Sequence, residues 1–272
     1  MVEETSPPID LEAREEGSGP VVLLVHGIGG DHTLWNEVIP LLSERFRVLA
    51  PDLRGHGRTP APPGSKFTCS EMIGDLLRLL DRRKVDSAHW VGLSAGAFLA
   101  LRVGLDQPAR VRSLSMIAGA VYADSHMRSI IERWAQTLSK DGRDAYALRL
   151  LKDLYYPDWI EAHLEIADRL RADVAERDLG PAGRWARSVS AFDERDRITT
   201  LRRPVLLVQG IDDAVVDAAH GRIFRQSVPA AQLRLLPQTG HMVPVERPTE
   251  TAEAVISFLT SVEAGPGPGG SA

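Results

Sequence analysis

The sequence predicts an α/β protein, a mostly parallel sheet with helices on both faces, carrying an inserted helical cap. Three observations predict it. Short β-branched apolar runs alternate with segments of helical apolar spacing, glycine or aspartate follows several of the runs, and the alternation stops between residues 122 and 197.

Val21 to Val25 is apolar throughout and is followed by Gly27, Gly29 and Gly30, as expected of a strand buried on both faces. Trp35 to Phe46 carries Trp35, Val38, Ile39 and Leu42 at helical spacing. Phe46 to Ala50 then reads as a second strand, stopped by Pro51 and Asp52. Ser70 is placed to cap an amphipathic helix over Met72 to Arg83, Ala88 to Val91 is a strand, and Ala95 to Asp106 is a helix rich in small residues. Val111 to Ala118 is the next strand. Beyond the interruption, Pro204 to Val208, Ala218 to Val228, Gln232 to Leu236 and Thr249 to Leu259 read as strand, helix, strand, helix.

The interval 122–197 offers charged amphipathic helices punctuated by Pro157, Gly180 and Pro181. It holds Trp134, Trp159 and Trp185 of the five tryptophans, and all four tyrosines. Aromatics concentrated in an insertion point to a pocket for an apolar or aromatic group, although a small helical layer also needs large side chains to dock. The expected organisation is a core domain of residues 1–121 and 198–263, a helical cap of 122–197, and a disordered tail of 264–272 composed of Gly, Pro, Ser and Ala.

Of the 272 residues, 43% are hydrophobic and 25% charged, which is ordinary globular usage and excludes a disordered or fibrous chain. The 32 basic and 37 acidic residues give −5 with no basic cluster, so nucleic acid is not an expected partner. No apolar run approaches the roughly 20 residues that span a bilayer, so no membrane partner is expected. Residues 1–20 lack the basic start and apolar stretch of a secretory signal, and the expected location is cytoplasmic. Cys69 stands alone, which removes an intramolecular disulfide and a cysteine-based zinc site. Whether the chain is a monomer or a homo-oligomer is not legible.

The strongest chemical signal is Gly92-Leu93-Ser94-Ala95-Gly96, between a predicted strand and a predicted helix. A serine at such a sharp turn exposes its hydroxyl, and only small residues fit two positions before and after it. A serine N-cap with flanking glycines would look similar. A hydroxyl becomes a useful nucleophile only when a base takes its proton. Of eight histidines, His26 and His56 sit in glycine turns, His89 opens a strand, and His32, His126, His163 and His220 are expected to be exposed. His241 follows the last predicted strand, at the carboxyl edge where open α/β sheets keep their sites.

A third group, a carboxylate, should fix the imidazole tautomer. Gly210-Ile211-Asp212-Asp213 follows the strand Val205 to Val208, so Asp213 or its neighbour Asp212 can serve. The order Ser94, Asp213, His241 is that of a nucleophile-elbow hydrolase. The loop His26-Gly27-Ile28-Gly29-Gly30 lets backbone amides approach a ligand, so the amides of Ile28 and Ala95 are the expected oxyanion hole. It lacks G-x-G-x-x-G and the P-loop pattern, which disfavours a phosphate-binding turn.

Together these residues resemble the α/β-hydrolase fold family, in particular its cap-bearing serine esterases and lactonase-like hydrolases, over about residues 20–262. His26-Gly27 is similar to the family's oxyanion loop, Asp52 to Thr59 to its D-x-R-G-x-G turn, Gly92 to Gly96 to its elbow, Gly210 to Asp213 to its acid loop, and Gly240-His241 with Glu246-Arg247-Pro248 to its histidine loop. The resemblance implies Ser94 as nucleophile, His241 as base then acid, and Asp213 as orienting acid, with Asp212 and Asp124 as alternatives. The chain departs from the pattern at Asp217, where many relatives have proline, and at Ala95, where a bulkier residue is common.

Ser94 disfavours dehalogenase or epoxide hydrolase chemistry, which in this family uses an aspartate nucleophile, and Met242 replaces the tryptophan frequent in carbon-carbon bond hydrolases. The expected function is hydrolysis of a small carboxylic ester or lactone through an acyl-serine, with no cofactor and no metal. Alternatives are thioester cleavage or acyl transfer, carbon-carbon cleavage on the same triad, and a receptor that keeps the triad and senses a ligand. Turnover of p-nitrophenyl esters should fall below pH about 6 as the base protonates.

Overall fold

A computed structural model describes residues 6–265. Seven strands form one sheet in the order β1-β3-β2-β4-β5-β6-β7: β1 Ala13–Glu16, β2 Val21–Val25, β3 Arg47–Pro51, β4 Ala88–Leu93, β5 Val111–Ile117, β6 Val205–Gly210 and β7 Gln232–Leu236. β1 runs antiparallel to β3, and every other pairing is parallel. β2, β4 and β6 are buried along their whole length, as expected of mostly apolar central strands. β7, at the edge, alternates between exposed and covered residues.

The helices are α1 Ile39–Ser43, α2 Cys69–Arg82, α3 Ala95–Asp106, α4 Ser125–Leu154, α5 Pro157–Ala162, α6 Leu164–Glu176, α7 Gly180–Val189, α8 Ala219–Ser227, α9 Val243–Glu246 and α10 Pro248–Ala264. Two cores sandwich the sheet. One face packs against α2, α3 and α8 through Leu76, Phe98 and Phe224. The other packs against α1 and α10 through Leu42, Phe258 and Leu259.

Three local expectations change. β1 is an added strand, and its sequence Ala-Arg-Glu-Glu is charged because an edge strand keeps one side in solvent: Glu15 pairs with Arg47 and Arg83. The stretch from Trp35 to Phe46 is a 3-10 turn over His32–Trp35 and the short α1, with Pro40 in its first turn, rather than one helix. Helix α2 is capped by Thr68, not Ser70; Thr68 Oγ1 accepts from Glu71 N while Glu71 reaches back to Thr68 N, a reciprocal capping box.

Between β5 and β6 the chain is helical, α4 to α7, as expected of the interval 122–197. α4 breaks at Gly142, which takes φ 87°, a conformation disfavoured for residues with a side chain. Arg177 of this helical segment pairs with buried Asp31, and Trp185 is fully buried beside His26 and His56. The expected disordered tail lies outside the described residues beyond Gly265, while Ala264 closes α10.

Candidate active site

The site assembles where β2, β4, β6 and β7 end. Ser94 follows β4 with φ 54° and ψ −118°, an unfavourable conformation for a residue with a Cβ, and its side chain makes no helix-capping bond. That removes the simple N-cap explanation. Its backbone N–H donates to Ile117 O at 2.8 Å, tying the turn to β5. A Cβ on Gly96 would sit 2.7 Å from His26 O, and one on Gly92 would sit 2.5 Å from Ala97 N. The sequence requirement for small residues is therefore a backbone-packing requirement.

Gly27 lies against Ser94, since a Cβ there would be 3.2 Å from Ser94 Cβ and 3.8 Å from its Oγ. Among the described residues, the amides of Ile28 and Ala95 donate to no protein group. Ala95 opens α3, whose N–H groups and dipole favour negative charge at this end.

His241 and Asp213 meet at 2.8 Å, Nδ1 to Oδ2, and both are buried. A carboxylate only accepts, so Nδ1 carries a proton, which in the neutral ring leaves Nε2 as the acceptor. The other oxygen of Asp213 accepts from Val215 N at 2.8 Å and Val216 N at 2.9 Å, which orients the carboxylate. The neighbouring candidates are placed elsewhere. Asp212 is exposed, and Asp124 caps α4 through Met127 N and contacts His220 Nε2 at 3.1 Å. Among the described residues no hydrogen bond joins the Ser94 hydroxyl to His241. In unliganded enzymes such a bond is often long and tightens with substrate.

His220 is buried rather than exposed, because its ring packs on Tyr122 and pairs with Asp124. His26 and His56 organise their loops as expected. His26 Nε2 accepts from Leu53 N, and His56 Nδ1 donates to Arg54 O. Burial keeps both rings neutral and lowers the pKa of His56 to about 3. The D-x-R-G-x-G turn is held structurally: buried Asp52 accepts from His32 N and Arg58 N, and buried Arg54 forks onto Asp75 at 2.6 and 2.7 Å.

A cavity of about 1190 Å³ opens between this turn, the loop after β2 and the α6–α7 junction, lined by Gly29, His32, His56, Arg58, Arg177 and Ala182 among others. It adjoins the oxyanion loop but is lined by neither Ser94 nor His241. Asp31, His32 and Asp52 on its wall offer ligand atoms within 4.8 Å of one another. Those groups are already engaged, Asp31 by Arg177 and Thr33 and Asp52 by His32 and Arg58. A cation would have to displace two guanidinium groups, so the set is a poor metal site.

Glu246 is the residue near the site to which sequence reasoning gave no part of its own. It is buried against the histidine loop and accepts from Gly240 N and Tyr156 N, both at 3.0 Å. An acidic residue inside the otherwise apolar Val-Pro-Val-Glu was the available signal.

A mostly parallel sheet with a strained serine turn, a paired imidazole and carboxylate, and two uncommitted amides has the features of a nucleophile-elbow hydrolase. The chain belongs to the alpha/beta hydrolase fold family, whose sequence profile matches residues 20–248. It is 28% identical, over 93% of its length and 96% of the relative's, to a RutD protein of Azorhizobium caulinodans assigned as a carbamate hydrolase. The enol-lactonase of Burkholderia xenovorans is 26% identical with a TM-score of 0.85, covering 92% of this chain and 96% of that one. A thermophilic esterase of Thermogutta terrifontis is also 26% identical, with a TM-score of 0.83 and 93% of each chain covered. No helix among the described residues is long and apolar enough to cross a membrane.

Proposed function

We propose that this hydrolase cleaves a small carboxylic ester or lactone bearing an apolar or aromatic group, through an acyl-serine intermediate. The observation that carries the reading is the buried 2.8 Å contact of His241 with Asp213, at the strand edge that also presents Ser94. His241 Nε2 takes the hydroxyl proton as Ser94 attacks the carbonyl carbon. The oxygen that gains charge is met by the amides of Ile28 and Ala95. Collapse expels the alcohol, protonated by His241, and a water activated by the same imidazole releases the acid. Asp213 holds the ring in the productive tautomer and stabilises the imidazolium.

Residues 122–197 act in this reading as a cap over the core formed by 1–121 and 198–263, and their aromatics shape the acyl or alcohol pocket. The likeness to an enol-lactonase and an esterase supports oxygen esters, and the likeness to an assigned carbamate hydrolase favours a second reading, carbamate cleavage by the same acylation. Comparison of kcat/KM across aryl esters, aliphatic esters, lactones, thioesters and carbamates, with Ser94→Ala as control, tests both. The first reading requires an ester or lactone to lead the series, and carbamates in the lead would establish the second.

A further inference from the structure

Three hydrogen bonds stitch the histidine loop and α9 to the helical segment, and a fourth, within the loop, shares one of their two acceptors. Leu154 O, at the end of α4, accepts from His241 N at 2.8 Å and Met242 N at 3.1 Å. Glu246 Oε2, at the end of α9, accepts from Gly240 N and from Tyr156 N, both at 3.0 Å. Gly240 and Tyr156 are brought so close that a Cβ on Gly240 would lie 2.7 Å from Tyr156 N. One carboxylate oxygen thus joins the residue before the imidazole to Tyr156, the N-cap of α5.

Glu246 is buried at 4% exposure, and among the described residues its Oε1 has no hydrogen-bond partner. An unpartnered buried carboxylate oxygen is costly, so what holds Glu246 at this position is its other oxygen, through the two amides. Burial raises the pKa of Glu246, and nearby Asp213 adds to that, while the amides of Gly240 and Tyr156 pull the other way.

We propose that Glu246 is a positioning residue: its Oε2, shared between Gly240 N and Tyr156 N, makes the placement of the helical segment set the position of the His241 imidazole. The inference rests on His241 being the base, as proposed above. It means that a substrate which shifts the α4–α5 junction shifts the imidazole with it.

The test compares Glu246→Gln, which keeps an acceptor, with Glu246→Ala, which removes it, in kcat, KM and the rate of fluorophosphonate labelling. Glu246→Ala is expected to lose about 10- to 100-fold in kcat and labelling with KM changed by less than about threefold, and Glu246→Gln to restore most of the loss. If Glu246→Ala does not fold, Glu246→Asp supplies a second route, since it keeps the charge but draws the carboxylate back by one methylene from Gly240 N and Tyr156 N. A lower kcat for Glu246→Asp than for Glu246→Gln, with KM little changed, supports the clamp. Equal kcat values for that pair, an unchanged kcat in folded Glu246→Ala, or equal losses in the Gln and Ala variants would overturn it. Wild-type protein that is not labelled at Ser94 would remove the hydrolase reading and the clamp together, whereas labelled wild type with fully active variants removes the clamp alone.

Discussion

Gly92 and Gly96 pack backbone to backbone beneath Ser94, with no room for a methyl group on either: a Cβ on Gly92 would fall within 3.0 Å of Gly96 C and O. The serine turn is therefore specified by two absent side chains as much as by the serine. Its strained φ persists because these contacts and the Ser94 N to Ile117 O bond leave no other course for the chain.

Gly96→Ala is expected to destabilise the protein by about 3 kcal/mol, the upper end of overpacking costs, because the added methyl meets the backbone of β2 and His26 rather than a side chain that can move. Chemical denaturation measures it. A loss under about 0.5 kcal/mol, the range of neutral surface substitutions, would show that the elbow yields easily.

Asp213→Asn should lower kcat by on the order of 10³- to 10⁴-fold, since an amide no longer fixes the imidazole tautomer. Asp124→Asn should change kcat by less than about threefold, because Asp124 faces His220 and the α4 N-terminus instead. Steady-state kinetics on one ester decides between them, and a large loss at Asp124 alone would reassign the acid.

The stability of the fold should fall on acidification in a way that His56 makes visible. Its ring is held neutral down to about pH 3, chiefly by burial, whereas an unfolded histidine takes a proton near pH 6.5. Between those values the unfolded chain binds a proton that the folded chain refuses. This contribution is whole above about pH 6.5 and shrinks as pH falls toward 3. Wild type should lose about 1.7 kcal/mol more than His56→Gln between pH 6.5, where the unfolded ring is already half protonated, and pH 5. Denaturation curves that shift in parallel for the two proteins would contradict a neutral His56.

Much of the architecture was legible because burial on both faces leaves a recognisable pattern: β2 is apolar throughout, and β4 and β6 are mostly apolar, with His89 and Gln209 as their buried polar members, each strand being followed by a loop of small or acidic residues. Ser94 and Asp213 drew attention for a related reason, since each stands just past such a strand, and His241 follows the edge strand β7. What escaped depends on partners remote in the chain. β1 exists through its antiparallel pairing with β3, which four charged or small residues do not announce. His220 looks like a surface helix residue until Tyr122 and Asp124 fold over it. Glu246 gains its place from Tyr156 N, 90 residues earlier in the chain.

The most direct measurement of the central claim is active-site labelling by a fluorophosphonate, followed by mass spectrometry of the modified peptide. The account predicts one adduct, on Ser94, absent from Ser94→Ala and strongly slowed in His241→Ala. A folded protein left unmodified, or labelled equally well after Ser94→Ala, would contradict it.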